Sequence, residues 1–204
     1  RDLRMSRGLG DVYKRQLEGL IITGDIATSY MDVYDNSILS RAKTQYQNIV
    51  DTLDGTMLCG NEHAYFMKGK VVVGSANPET MEQFLEDDDL VIMGNRYDAQ
   101  ICALESNASC IVIAGSPQVP KTIVKMAEEK HCVLITTDYD TYTAARLINQ
   151  SMPIKFFMRR EQLVTFETEE YIDEVREIMS KEKHRDFPVL DLSLIHISEP
   201  TRHA

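Results

Sequence analysis

Basic charge is scarce in this chain, with 22 Lys and Arg against 32 Asp and Glu in 204 residues and a net charge of -10. A nucleic-acid binder draws much of its affinity from a basic face laid against phosphates, so the composition argues against DNA or RNA as the partner. Long apolar runs are missing as well. Nothing approaches the roughly 20 consecutive apolar residues that a bilayer requires, and no membrane span is expected. Cysteine is sparse and unpatterned: Cys59, Cys102, Cys110 and Cys132 have no C-x-x-C spacing and no paired histidines nearby. Each lies in or beside an apolar run, where free cysteine behaves as a small hydrophobe, so a buried, reduced set and a cytoplasmic origin are expected. Asn107-Ala-Ser109 and Asn149-Gln-Ser151 match the glycosylation pattern, with no other sign of secretion. His63 and His131 lack ligand-spaced partners, and no Ser/His/Asp order or paired-carboxylate motif is present. The chain carries no catalytic constellation and no metal-ligand set of its own.

The two ends share an origin that has nothing to do with folding. Read backwards, Gln16 to Arg4 pairs with Leu192 to Ala204 codon by codon: Gln16 (CAG) opposite Leu192 (CTG), Asp11 (GAT) opposite Ile197 (ATC), Met5 (ATG) opposite His203 (CAT). The reconstructed string resembles a transposon-based sequencing-library adapter, so residues 1–16 and 192–204 are expected to be adapter-derived and non-native. Setting them aside leaves 16 basic and 29 acidic residues, a net of -13, in Leu17 to Asp191. That length makes one ordinary domain or two small ones, read as an internal piece of a longer protein.

Between Thr44 and Gln150 short apolar runs alternate with helical patterns. Strands are expected at Met57 to Cys59, Lys70 to Gly74, Leu90 to Met93, Cys110 to Ala114 and Cys132 to Thr136. Several are apolar almost throughout, as strands covered on both faces are. Asn77 should cap a helix opened by Pro78, with Glu79 and Glu82 near the positive end of its dipole. Further helices are expected from Tyr97 to Asn107, Lys121 to Lys130 and Thr141 to Asn149. The alternation predicts an α/β fold with a largely parallel sheet. The flanks differ: Leu17 to Asp25 reads as a strand turning at Gly24 into a helix. After Ser151 come a short extended Met152-Pro-Ile154, a strand around Leu163 to Phe166, a helix from Glu169 to Lys181 and a strand from Phe187 to Leu190. Tyr171, Ile172, Val175, Ile178 and Met179 fall at helical spacing, which predicts one core-directed face.

Three motifs carry less than they suggest. Gly115-Ser-Pro-Gln-Val-Pro-Lys121-Thr122 is one residue short of a phosphate-binding loop, and Pro117 and Pro120 have no N–H to aim at a phosphate. It reads as an ordinary strand-to-helix turn, which leaves a stand-alone α/β transferase using this loop as the weakest of three functional readings. His184-Arg-Asp186 resembles a kinase catalytic loop but has Asp191 where that motif needs Asn. The acidic run Glu86 to Asp89 reads as a solvated turn.

The segment Met152-Pro-Ile…Phe157-Met158…Leu163-Val-Thr…Tyr171…Val175…Met179…His184-Arg-Asp-Phe-Pro-Val-Leu-Asp191 resembles the first two-thirds of a cystathionine-β-synthase-type (CBS) repeat. Gly19-Leu-Ile-Ile-Thr-Gly-Asp25-Ile resembles the last third of another. The stretch between them resembles a DRTGG domain, with Gly94-Asn-Arg96 and Ala114-Gly-Ser116 at its two signature positions. Together they are similar to the regulatory insert of CBS-containing, manganese-dependent (family II) inorganic pyrophosphatases. The implied architecture is α/β, a central DRTGG-like parallel-sheet domain (residues 44–150) flanked by the end of a first CBS repeat (17–43) and the start of a second (151–191).

That resemblance implies AMP, ADP or a diadenosine polyphosphate bound between paired repeats, a homodimer, and manganese held by catalytic domains outside this chain. Carried over by position, Met152, Pro153, Ile154 and Phe156 would wall the adenine slot from one strand, and Phe187, Pro188 and Val189 from another. Asp25 would hold ribose hydroxyls. Thr23 follows Ile22, the position where such repeats meet phosphate, and is the nearby hydroxyl. Apolar walls remove a base from water, an aromatic ring adds stacking, and a carboxylate accepts from a diol. Phe156 and Phe157 should point to opposite faces if the segment is extended. The DRTGG domain is expected to serve dimer contact and transmission. A non-enzymatic CBS/DRTGG sensor or dimerisation scaffold is the alternative.

Overall fold

The computed structural model describes Ile21 and residues 35–115, 118–158, 164–181 and 187–190. The chain divides into two compact units, one spanning residues 23–157 and the other taking in residues 1–22 and 158–204. In chain order the larger unit contains α1 (Ile38–Arg41), β1 (Thr44–Gln45), α2 (Tyr46–Thr52), β2 (Thr56–Cys59), β3 (Tyr65–Phe66), β4 (Val71–Val73) and α3 (Pro78–Met81). There follow β5 (Leu90–Met93), α4 (Tyr97–Glu105), β6 (Cys110–Ala114), α5 (Lys121–Glu129), β7 (Val133–Thr137), α6 (Thr141–Leu147) and two 3-10 turns, Ile148–Ser151 and Ile154–Phe156.

Five strands form one sheet in the order β2-β7-β6-β5-β4. The pairs β4/β5, β5/β6 and β6/β7 are parallel, in a register that sets Leu90 beside Cys110 and Cys110 beside Val133. Every residue of β5, β6 and β7 is buried, which is why these strands read as unbroken apolar runs. Alternation sorts their side chains into two layers. Leu90, Ile92, Cys110, Val112, Val133 and Ile135 pack with Ile38, Leu39, Ile49, Leu53, Ala144 and Ile148 from α1, α2 and the region of α6. Val91, Met93, Ile111, Ile113 and Leu134 pack on the opposite face with Met81, Ala103, Leu104, Ile123 and Ala127 from α3, α4 and α5. A fully buried aliphatic side chain is worth about 1.5 to 3 kcal/mol. Two such layers make the sheet the thermodynamic centre of the chain.

The boundaries of β5 and β6 match those expected, and β4 and β7 agree to within a residue or so. Asn77 caps α3 as expected, its side chain accepting from the Thr80 N–H at 3.0 Å behind Pro78. Three features differ. The strand β2 runs antiparallel to β7 at the sheet edge. A small ribbon pairs Thr44 with Phe66, and helix α2 precedes the sheet, neither of which the apolar pattern signalled. The acidic run is not wholly solvated: Asp89 is fully buried and accepts the N–H groups of Lys70 (2.9 Å) and Glu86 (3.0 Å). Its carboxylate satisfies one backbone N–H just before β4 and one in the turn that leads into β5. The neighbouring turn admits only glycine at position 69. Gly69 has φ +84° and a Cβ there would lie 2.2 Å from the Asp88 carbonyl oxygen.

In the smaller unit β8 (Phe166–Glu167) and β9 (Val189–Leu190) pair in parallel, Phe166 beside Val189, with α7 (Ile172–Lys181) between them in sequence. The helix starts three residues later than expected. Its apolar stripe is not core-directed among the described residues: Tyr171 is 77% and Ile172 74% exposed, and no residue of α7 is buried. Two two-residue strands present too little surface to cover a helix face. Apart from Ile21, the expected strand and helix over residues 17–25, with Thr23 and Asp25, lie outside the described residues, as do both adapter-like ends, Leu163 and His184 to Asp186.

Candidate functional site

The expected slot-lining residues fall in two groups, one in each unit. Met152, Pro153, Ile154 and Phe156 belong to the larger unit, and Phe187, Pro188 and Val189 to the smaller. The first group begins where the Ile148–Ser151 turn ends. Met152 and Pro153 are extended, with ψ of 136° and 140°. The chain then tightens into the 3-10 turn Ile154–Phe156, closed by the Phe156 N–H to the Pro153 carbonyl (2.9 Å) and the Phe157 N–H to that of Ile154 (3.1 Å). A continuous strand is therefore not what forms. The two phenylalanines do not alternate across a sheet; their rings meet edge to face at 5.4 Å, and both pack against the core beneath β5 to β7. An i→i+3 turn brings neighbouring side chains onto a shared flank, whereas extension separates them.

Met152 is only 8% exposed and is spent on that core, while Ile154 is 63% exposed and free to meet a ligand. The larger unit thus takes in the first residues of the segment that resembles a second CBS repeat. Ser151 is fixed from both sides: its hydroxyl donates to the Ile148 carbonyl (2.5 Å), and its own carbonyl accepts from the Asn48 side-chain amide (3.1 Å). In the smaller unit Phe187 lies 5.3 Å from Phe166, ring to ring, and the Pro188 carbonyl accepts the Phe166 N–H at 3.0 Å. Val189 is 61% exposed.

The described residues of the two DRTGG signature positions, Gly94 to Arg96 and Ala114-Gly115, lie at the carboxyl ends of the neighbouring strands β5 and β6, where open α/β sheets place ligands, and Ser116 lies outside the described residues. The Asn95 amide donates to the Gln118 carbonyl (3.1 Å) and its carbonyl accepts from Gln100 (3.0 Å), whose own Oε1 is buried without a partner. Arg96 pairs with Asp98 at 2.7 Å and holds that carboxyl below the ordinary range. Gly115, at the near-match to a phosphate loop, gives its N–H to the carbonyls of both Thr137 (3.0 Å) and Tyr139 (2.8 Å). That donor is consumed by the sheet and cannot face a phosphate.

All four thiols are free; Cys102, Cys110 and Cys132 are buried and Cys59 half-buried. Burial pushes Cys110 well above the ordinary thiol range, and burial with Cys59 nearby lifts Cys132 to about 12. Among the described residues no group of three or more His, Cys, Asp or Glu could hold a metal ion. No helix of the described residues is long and apolar enough to cross a membrane.

The DRTGG domain family matches residues 48–151. Over 175 residues the chain is 33% identical to the cobalt-dependent inorganic pyrophosphatase of Clostridium perfringens, covering 86% of this chain and 32% of that protein. It is 26% identical over 186 residues to a probable manganese-dependent inorganic pyrophosphatase of Thermotoga maritima, covering 90% of this chain and 34% of the relative. The chain thus spans about a third of the length of these curated relatives. Among solved structures it is similar to the CBS and DRTGG domains of the regulatory region of Clostridium perfringens pyrophosphatase, complexed with its activator, diadenosine tetraphosphate. The TM-score is 0.78 and the identity 32%, over 87% of this chain and 77% of that one. With half its length matched by the family and its fold shared with that region, the chain belongs to the DRTGG family, in the CBS-linked form found in the regulatory region of inorganic pyrophosphatases.

Proposed function

We propose that this chain is an adenine-nucleotide-sensing regulatory region that controls pyrophosphate hydrolysis by catalytic domains outside it, in a cytoplasmic, homodimeric, metal-dependent pyrophosphatase. The likeness to the diadenosine-tetraphosphate-bound Clostridium perfringens region, at 32% identity and TM-score 0.78, carries the reading. In the larger unit Pro153, Ile154 and Phe156 offer an apolar surface for an adenine base, with Met152 anchored in the core; in the smaller unit Phe187, Pro188 and Val189 are assigned the same task by the resemblance. Asp25 and Thr23 meet the ribose and phosphate. AMP and ADP compete for the slots that a diadenosine polyphosphate bridges. Catalysis by the whole protein rests on metal ions activating water, a task for other domains.

The complete gene product, assayed for phosphate release from pyrophosphate, should respond to AMP, ADP and diadenosine tetraphosphate at micromolar concentrations. Hydrolysis that ignores all three would overturn the sensing role, and a gene product without pyrophosphatase activity would favour the scaffold reading.

A further inference from the structure

The segment from Met152 to Phe156 is anchored by contacts within the larger unit. Helix α2 buries Tyr46 and Ile49 against the sheet, which fixes the azimuth of Asn48 between them. From there the Asn48 Nδ2 reaches the Ser151 carbonyl at 3.1 Å, across 103 residues of sequence. That carbonyl ends a 3-10 turn, where a backbone acceptor has no further helical donor to meet. Ser151 is itself buried, and the next residue is Met152, the start of the apolar wall. A carbonyl only accepts, so the contact demands the amide end of the Asn48 side chain and fixes its orientation.

We propose that Asn48 is a positioning residue for the nucleotide slot: through the Ser151 carbonyl, the DRTGG domain holds the Met152-to-Phe156 wall in its binding geometry and so sets nucleotide affinity. This rests on the reading of that wall as part of the adenine slot. Two consequences follow from the geometry. Loss of the donor frees the backbone at Ser151 while Met152, Phe156 and Phe157 still pack on the core, so the fold survives and the wall loosens. Ile154, the exposed member of the wall, sits three residues from the tether and takes up the displacement.

The test compares Asn48→Asp, which keeps the shape but has no donor, with Asn48→Ala and the unaltered protein, in the complete gene product. Calorimetry with diadenosine tetraphosphate and AMP is paired with hydrogen exchange at the Phe156 and Phe157 amides. Both variants should bind about tenfold more weakly, the change in affinity that corresponds to the upper end of what one hydrogen bond contributes. Their exchange at those two amides should rise before any ligand is added, with the cooperative unfolding transition retained. Unchanged affinity and exchange in Asn48→Asp, in a protein that binds normally, would overturn the positioning role. Faster exchange in the variants of a protein that binds neither nucleotide would preserve the tether and overturn the slot reading.

Discussion

Two segments share one pattern, a strand, an amphipathic helix and a parallel strand, with opposite outcomes. In the larger unit β6, α5 and β7 lie in the middle of a five-stranded sheet, and Ile123 and Ala127 of α5 are fully buried. In the smaller unit β8, α7 and β9 make a two-stranded pair, and the apolar stripe of α7 stays exposed. Both helices carry a well-defined apolar face. Periodicity therefore states that a face is to be covered, and only the extent of neighbouring sheet decides whether it is.

The largest expected effect tests that contrast directly. Ile113→Ala, in the middle of β6, should cost about 2 to 5 kcal/mol by chemical denaturation, the range for a truncated core side chain that leaves a cavity. Ile172→Ala should stay within about 0.5 kcal/mol, as exposed substitutions do. Equal costs would mean that the α7 face is covered in solution, and the comparison would collapse.

Phe156 sits at the junction of the two behaviours. Because it is half-buried against the core and packed on Phe157, Phe156→Ala should cost about 1 to 2 kcal/mol of stability and weaken AMP binding about tenfold in the complete gene product. A loss of affinity without loss of stability would return the segment to the extended geometry expected from sequence. Smaller still is the difference among thiols. Only the thiolate is nucleophilic, so alkylation near pH 8 followed by mass spectrometry should label half-buried Cys59 first, and Cys110 and Cys132 only in denaturant. Early labelling of Cys110 would show that the sheet opens locally.

The smallest effect is electrostatic. Asp140 caps α6, accepting the N–H groups of Tyr142 (2.9 Å) and Thr143 (3.0 Å), and its hydrogen bond from the Thr143 hydroxyl leads in holding its carboxyl below the ordinary value of 3.8. A depressed folded pKa stabilises the fold above the unfolded value, and the contribution is lost as pH falls through the folded one. Acid titration of stability should therefore be shallower below pH 3.8 in Asp140→Asn than in the unaltered chain. Identical acid limbs would remove the cap from the account.

Much of the central domain was legible because its strands are buried on both sides: unbroken runs such as Cys110 to Ala114 cannot be read as anything half-solvated. The Asn77-Pro78 cap was legible too, since it acts within three residues of itself. The resemblance to CBS and DRTGG segments pointed to the region's family, and the shared fold agrees with it. Tertiary structure decided the rest, wherever the deciding contact is remote in sequence. It turned β2 antiparallel against β7, buried Asp89 against the backbone amide of Lys70, and folded Ile154 to Phe156 into a turn over the core. It also brought Asn48 to Ser151. Local sequence encodes propensity and the side of an element that must be buried; the partner that buries it, and the carbonyl a side-chain amide reaches from 103 residues away, exist only once the layers have closed.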